Sequence, residues 1–167
     1  MHGTQEQFLK WYDQFSDVMF RHCVFRLSDR EKAKDVTQEA FIRLWKYVAE
    51  GNEVVNARAM LYKIVNNLII DEYRKKEHVS LDRMREEGFD PGYDVRGEME
   101  SRDEYHHVLA KMEKLPERYR EVLVMRHVDG LSVKEIARLM GETENAISVR
   151  IHRAIEKFKT GSKSLID

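Results

Sequence analysis

Apolar residues recur at steps of three and four almost from the start of the chain, which is the spacing of one helix face. Phe8, Trp11, Tyr12, Phe15, Met19 and His22 form such a stripe and predict a first helix over about Thr4 to Leu27, with Thr4 and Gln7 as a capping box. Ser28 with Glu31 repeats that capping pattern, and Ala33, Val36, Ala40, Leu44 and Val48 give the inner stripe of a second helix, stopped at Gly51 and Asn52. A third helix is expected from about Asn56 to Glu77, with Ala57, Leu61, Ile64, Val65 and Leu68 inward and the basic run Arg74, Lys75, Lys76 at its end. Three amphipathic helices of this size can share one small core.

The periodicity then lapses. Over residues 78–101, Gly88, Pro91, Gly92 and Gly97 fall among acidic side chains, and this stretch reads as an acidic linker. Its 24 residues would reach about 80 Å if fully extended. Helical pattern resumes at about Arg102 with Tyr105, Val108, Leu109 and Met112. It is interrupted at Leu115-Pro116, with Pro116 expected at the first position of the next helix, and continues through Val122 to a stop at Asp129-Gly130. Ser132 and Glu135 form another capping box, Gly141 breaks the short helix that follows, and a last helix is expected from Thr143 to about Lys159. No stretch reads as a strand with turn signals. The expected fold is all-α, in two small helical domains: residues 1–77 with three helices and residues 102–167 with four, joined by residues 78–101.

Composition narrows the function. The chain has 167 residues, 35% of them charged, with 29 basic and 30 acidic side chains. That near-neutral total hides a gradient: residues 1–80 carry a net +1, residues 81–107 a net −5, and residues 108–167 a net +3. Nucleic-acid binding therefore has to be sought on individual faces. One cysteine, Cys23, excludes an internal disulfide and a Cys-based zinc site. Cys23 lies beside the core stripe of the first helix, which favours burial over redox sensing. No apolar run is long enough to span a bilayer and no signal-peptide pattern opens the chain, so a cytoplasmic location without membrane insertion is expected. There is no Gly-rich phosphate loop, metal-spaced His/Cys set or nucleophile motif. His22, His106, His107, His127 and His152 read as dispersed or solvent-facing, and no enzymatic role and no cofactor are expected.

Residues 132–158 carry the sharpest motif. A helix-turn-helix needs a small residue where its helices cross, a glycine at the turn and an apolar residue seating the second helix. Ala137, Gly141 and Ile147 stand at those places. At 100° per residue, Ile147, Ile151, Ala154, Ile155 and Phe158 turn inward. Asn145, Ser148, Val149 and His152 lie opposite, with Arg153 on the border, a face suited to base edges in the major groove. Arg150, Lys157 and Lys159 flank it for phosphate contact. The alternative is a helical hairpin with a merely solvated polar face.

Two further faces stand out. On the second helix Asp35, Gln38, Glu39, Ile42 and Lys46 cluster outward, which by charge alone reads as a solvated face. On the third, Lys63, Asn66, Asn67, Ile70, Tyr73 and Arg74 lie opposite the core stripe with Tyr62 beside them. Cations, amides and rings on one face suit single-stranded nucleic acid, although two ordinary surface tyrosines would give the same pattern.

Together these segments resemble the extracytoplasmic-function (ECF) sigma factors of bacterial RNA polymerase, in the sigma-70 family. The stretch Asp35-Val36-Thr37-Gln38-Glu39-Ala40-Phe41 is similar to the family's polymerase-binding segment. Residues 57–71 are similar to its promoter-melting and −10-reading helix, with Met60 where the family often has Trp. Leu115-Pro116-Glu117-Arg118-Tyr119-Arg120-Glu121-Val122 and Gly130-Leu131-Ser132-Val133-Lys134-Glu135-Ile136-Ala137 are similar to the opening of its region 4. The resemblance implies that Asp35, Gln38, Glu39, Ile42 and Lys46 dock on the clamp of the RNA polymerase core. It implies that Tyr62, Lys63, Asn66, Asn67, Ile70, Tyr73 and Arg74, with the preceding loop, engage single-stranded −10 DNA, Asn67 at the family's −10 asparagine. It implies that Asn145, Ser148, Val149, Arg150, His152, Arg153 and Lys157 meet duplex −35 DNA, and that an anti-sigma factor regulates the chain. A stand-alone helix-turn-helix regulator is the competing expectation; it would need neither the second-helix face nor a single-strand surface.

Overall fold

The computed structural model describes residues 2–85 and 100–163. It is all-α, with no strand among the described residues: α1 (His2–Leu27), α2 (Arg30–Ala49), α3 (Ala57–Arg85), α4 (Glu100–Lys114), α5 (Glu117–Leu123), α6 (Val133–Met140) and α7 (Glu144–Lys163). A five-residue π-helical turn, Val124–Val128, follows α5 directly.

The N-terminal helices pack as expected. Met19, Cys23 and Leu27 of α1, Ala33, Val36, Ala40 and Leu44 of α2, and Leu61, Val65, Leu68 and Ile69 of α3 are buried together. Phe8 packs near Phe41 and Trp45, and Tyr12 meets Phe41 edge-on at 5.0 Å. Tyr12 itself is exposed, so the α1 stripe is closed only from Met19 onward.

Helix ends follow local chemistry, with four departures from expectation. Helix α1 begins at His2, ahead of Thr4, which leaves the Thr4–Gln7 box inside the helix. Asp29 replaces Ser28 as the cap of α2: its carboxylate accepts from the Lys32 amide at 3.1 Å, while Ser28 takes the left-handed turn at φ 53°. Pro116 is the cap residue of α5 and Glu117 its first helical position, one place later than expected. Helix α3 continues to Arg85, eight residues beyond Glu77, and α4 starts at Glu100, so the expected linker is shortened at both ends. The rest of that acidic stretch, residues 86–99, lies outside the described residues. The Ser132–Glu135 box forms, with Ser132 Oγ accepting from the Glu135 amide at 3.1 Å.

Helices α5 to α7 pack around Val122, Leu123, Ile136, Ala137, Ile147, Ile151 and Ala154, with α4 adding Leu109 and Met112. Gly141 turns the chain between α6 and α7 at φ 67°, a backbone that favours glycine. The two helical units also touch: α1 packs on α4 and on the π turn, and α3 approaches α6.

Two outcomes follow. No neighbouring atom lies within 4 Å of a Cβ placed on Gly141, so Gly141→Ala meets backbone strain alone. Urea unfolding should show a loss of about 1 kcal/mol; an unchanged midpoint would contradict the left-handed turn. Burial pushes the Cys23 thiol from 9.0 up to about 12, only partly offset by the Thr37 hydroxyl and Arg26. The native chain at pH 8 should then react with a thiol reagent at least about a hundredfold more slowly than the urea-unfolded chain; equal rates would refute this burial.

Candidate polymerase and nucleic-acid interfaces

The outward face of α2 is open. Asp35, Gln38, Ile42 and Lys46 are exposed, and Glu39 is half-exposed and paired with Arg43 one turn on, at 3.0 Å. Ile42 and the neighbouring Trp45 add apolar surface to this polar face. Their inner neighbours Val36, Ala40 and Leu44 anchor the helix from behind, so the face is carried by a fixed element.

Helix α3 has three faces rather than two. Leu61, Val65 and Leu68 point into the N-terminal core. About 100° to 180° around the helix lie Lys63, Asn67, Ile70 and Arg74; Lys63, Asn67 and Arg74 are exposed and Ile70 is half-buried. Between these faces runs a third stripe, Arg58, Tyr62, Asn66, Tyr73 and Lys76, which faces the C-terminal helices and α1. Arg58 pairs with Glu135 of α6 at 2.9 Å and Lys76 with Glu113 of α4 at 3.3 Å. Asn66 accepts from Arg26 Nη1 at 3.2 Å. Tyr73 donates to the Arg26 carbonyl and receives a bond from Arg120 Nη1 at 2.9 Å. Tyr62 is buried against the His22 ring, and burial followed by the Asp129 carboxylate raises its phenol well above the ordinary range. The expected single-strand set is thereby divided: Lys63, Asn67, Ile70 and Arg74 share one open face, while Tyr62, Asn66 and Tyr73 lie in the contact between the two units. Periodicity places both groups opposite the core; it does not say that a second unit covers one of them.

On α7, Asn145, Ser148, Val149, His152, Arg153 and Lys157 are exposed, while Ile147, Ile151 and Ala154 hold the helix down. Thr143 Oγ1 caps the helix by accepting from the Ala146 amide at 3.1 Å. Arg150, expected at a phosphate, is placed differently from these six. It is half-buried and bound to Glu142 at 2.5 Å, so its charge is already matched. Lys157 stays exposed, with its ammonium 5.2 Å from the Tyr119 ring centre.

The residues that sequence reasoning missed are at the seam. Arg26 is fully buried, with Glu117 at 3.2 Å and Glu121 at 3.7 Å. Arg120 is buried too, donating to the Met112 carbonyl at 2.6 Å and to the Arg26 carbonyl. His22, which the apolar spacing places on the α1 stripe, is 1% exposed and bound through Nδ1 to Asp129 Oδ2 at 2.7 Å, a partner that spacing does not supply. The π turn creates that pair: the Asp129 amide reaches back five residues to the Val124 carbonyl at 2.9 Å, and the widened turn carries the carboxylate to α1. One signal was readable. Arg26 stands four residues after His22 and seven after Met19, on the buried side of α1, where an unpartnered charge is not tolerated.

Among the described residues no group of His, Cys, Asp or Glu is placed to hold a metal, and no helix is long and apolar enough to cross a membrane.

Comparison with known proteins gives the family of the chain. Residues 5–79 match the model of sigma-70 region 2, and residues 106–158 match that of sigma-70 region 4. The chain is 28% identical to the ECF RNA polymerase sigma factor SigW of Bacillus subtilis, covering 98% of this chain and 92% of the relative. It is 30% identical to the ECF RNA polymerase sigma factor BldN of Streptomyces coelicolor, over 92% of this chain and 59% of that protein. Among solved structures, the fold matches CnrH, determined with the cytosolic domain of CnrY, at a TM-score of 0.71, 22% identity and coverage of 96% and 90%. It matches RpoE of Bartonella quintana, determined with the anti-sigma factor NepR, at 0.71, with 18% identity and coverage of 95% and 98%. With regions 2 and 4 matched in order and 98% of its length aligned to such a factor, the chain belongs to the ECF group of the sigma-70 family of RNA polymerase sigma factors.

Proposed function

We propose that the chain directs promoter recognition, DNA melting and transcription initiation through three separate faces. The outward face of α2 (Asp35, Gln38, Glu39, Ile42, Lys46) binds the clamp of the polymerase core. The open face of α3 (Lys63, Asn67, Ile70, Arg74) holds the unpaired −10 strand, with cations on phosphates and the Asn67 amide on a base edge. The exposed face of α7 (Asn145, Ser148, Val149, His152, Arg153, Lys157) enters the major groove of duplex −35 DNA.

The observation that carries this reading is the α7 face. It holds six side chains able to reach a groove, set on a helix seated by Ile147 and Ile151, and none of the six has an ionic partner among the described residues. Polar and cationic side chains left without ionic partners on a firmly seated helix support a recognition role for this face. An anti-sigma factor is a further proposed partner, since the solved RpoE relative is bound to one.

Substitution separates the faces. Asp35→Ala with Gln38→Ala should leave the fold intact, because both side chains are exposed. It should weaken binding to polymerase core by about tenfold or more in a titration. Core binding unchanged from wild type would remove α2 from the interface. His152→Ala with Arg153→Ala should reduce run-off transcription from a duplex two-element promoter and spare a template pre-opened around its −10 element. Asn67→Ala should instead alter the preference among −10 variants. Equal losses on both templates for both sets would show that the faces are wrongly assigned.

A further inference from the structure

One edge of α7 carries three cations in register. Arg150, Arg153 and Lys157 stand at i, i+3 and i+7, within about 60° of one another around the helix. Arg153 and Lys157 are exposed and have no carboxylate partner among the described residues. Arg150 differs from both. Its side chain is only 15% exposed and is bound to Glu142, in the turn before α7, at 2.5 Å. One charge of the three is therefore matched from within the chain, and two are left open.

The turn itself does not depend on that carboxylate. The Glu142 amide donates to the Ala137 carbonyl at 3.0 Å, Gly141 supplies the left-handed backbone, and Thr143 Oγ1 caps α7. Main-chain bonds and the Thr143 cap thus fix the turn without the Glu142 side chain. That side chain is 33% exposed, and its bond to Arg150 Nη2 is its one polar contact among the described residues. Arg150 Nε is buried without a partner, so the Glu142 pair alone ties the guanidinium to the turn.

We propose that Glu142 sets the strength of sequence-independent DNA binding by withholding Arg150 from the phosphate backbone. A cation that neutralises a phosphate releases a counterion, and that release strengthens binding to every sequence alike. A cation already matched by a carboxylate releases none. Arg153 and Lys157 are left to follow the backbone, while Glu142 holds the third cation of the edge out of contact and keeps random attachment to duplex DNA weak. The inference rests on the reading of α7 as the helix that enters duplex DNA. Removing the Glu142 charge frees Arg150 to join the backbone that its edge faces, and adds one phosphate contact without a new base contact.

The test uses the full chain and a fluorescent pool of short random-sequence duplexes, titrated by anisotropy from about 50 to about 200 mM salt. Glu142→Gln keeps the shape of the side chain and removes its charge. The fall of log affinity with log salt should be steeper than in wild type by about 0.9, the mark of one phosphate, with affinity about three- to tenfold higher at the low-salt end. Glu142→Gln with Arg150→Gln removes both charges and should return the slope to the wild-type value. Sequences enriched from the pool should be the same for wild type and Glu142→Gln, because the added contact is to the backbone. An unchanged slope in Glu142→Gln, or a steeper slope that persists when Arg150 is also replaced, overturns the proposal and leaves the −35 reading of α7 standing. Weaker binding with altered enrichment would make the pair a structural tie of the turn, and overturns it as well. No binding of the pool by any of the three chains at the lowest salt overturns the duplex reading of α7 and the proposal with it.

Discussion

A fully buried guanidinium sets the terms for the whole molecule. Arg26 sits near the end of α1 with no exposed surface, and a charge in that position needs ionic partners. Its partners come from both halves of the chain: Asn66 from α3, Glu117 and Glu121 from α5. Its carbonyl gathers Tyr73 and Arg120. Removing a partner from such a charge costs about 3–5 kcal/mol, so the orientation of α3 and α5 about α1 is strongly specified wherever the seam is closed. An aliphatic residue in place of Arg26 would bury well but fix no register between the two units.

This constraint explains the division of α3. A helix packed on one side has one buried stripe and a wide solvated face; α3 is packed on two. The second contact takes Tyr62, Asn66 and Tyr73 out of the open surface and leaves Lys63, Asn67, Ile70 and Arg74 as a narrower, more cationic strip. The faces of α2 and α7 are untouched by it. In the closed chain the proposed polymerase-binding face and the proposed −35 face are available while part of the proposed −10 face is not.

Most of the architecture was legible in the residues. Apolar spacing located the helices, Ala137, Gly141 and Ile147 located the helix-turn-helix, and Ser132 with Glu135 located its cap, because each rests on interactions within a few residues. The Asp29 cap was missed because Ser28 and Asp29 are both good caps and only the left-handed turn at Ser28 decides between them. The extension of α3 to Arg85 was missed because a polar, charged helix carries little apolar periodicity. The seam was the least legible element. His22–Asp129 joins residues 107 apart, and the π turn that delivers Asp129 has no sequence signature of its own. Arg150 shows the converse limit: its place on the flank is readable from the helix period, but its pairing with Glu142, eight residues away, is not.

The central claim is that Arg26 and its partners hold both units in one closed body when the chain is alone. Small-angle X-ray scattering of the free 167-residue chain at low concentration tests this without any substitution. A closed chain of 167 residues should give a radius of gyration near 15–16 Å and a single-peaked distance distribution. A radius clearly above that range, with the shouldered distribution of two separated lobes, would show that the seam does not form in the free protein and would contradict the account.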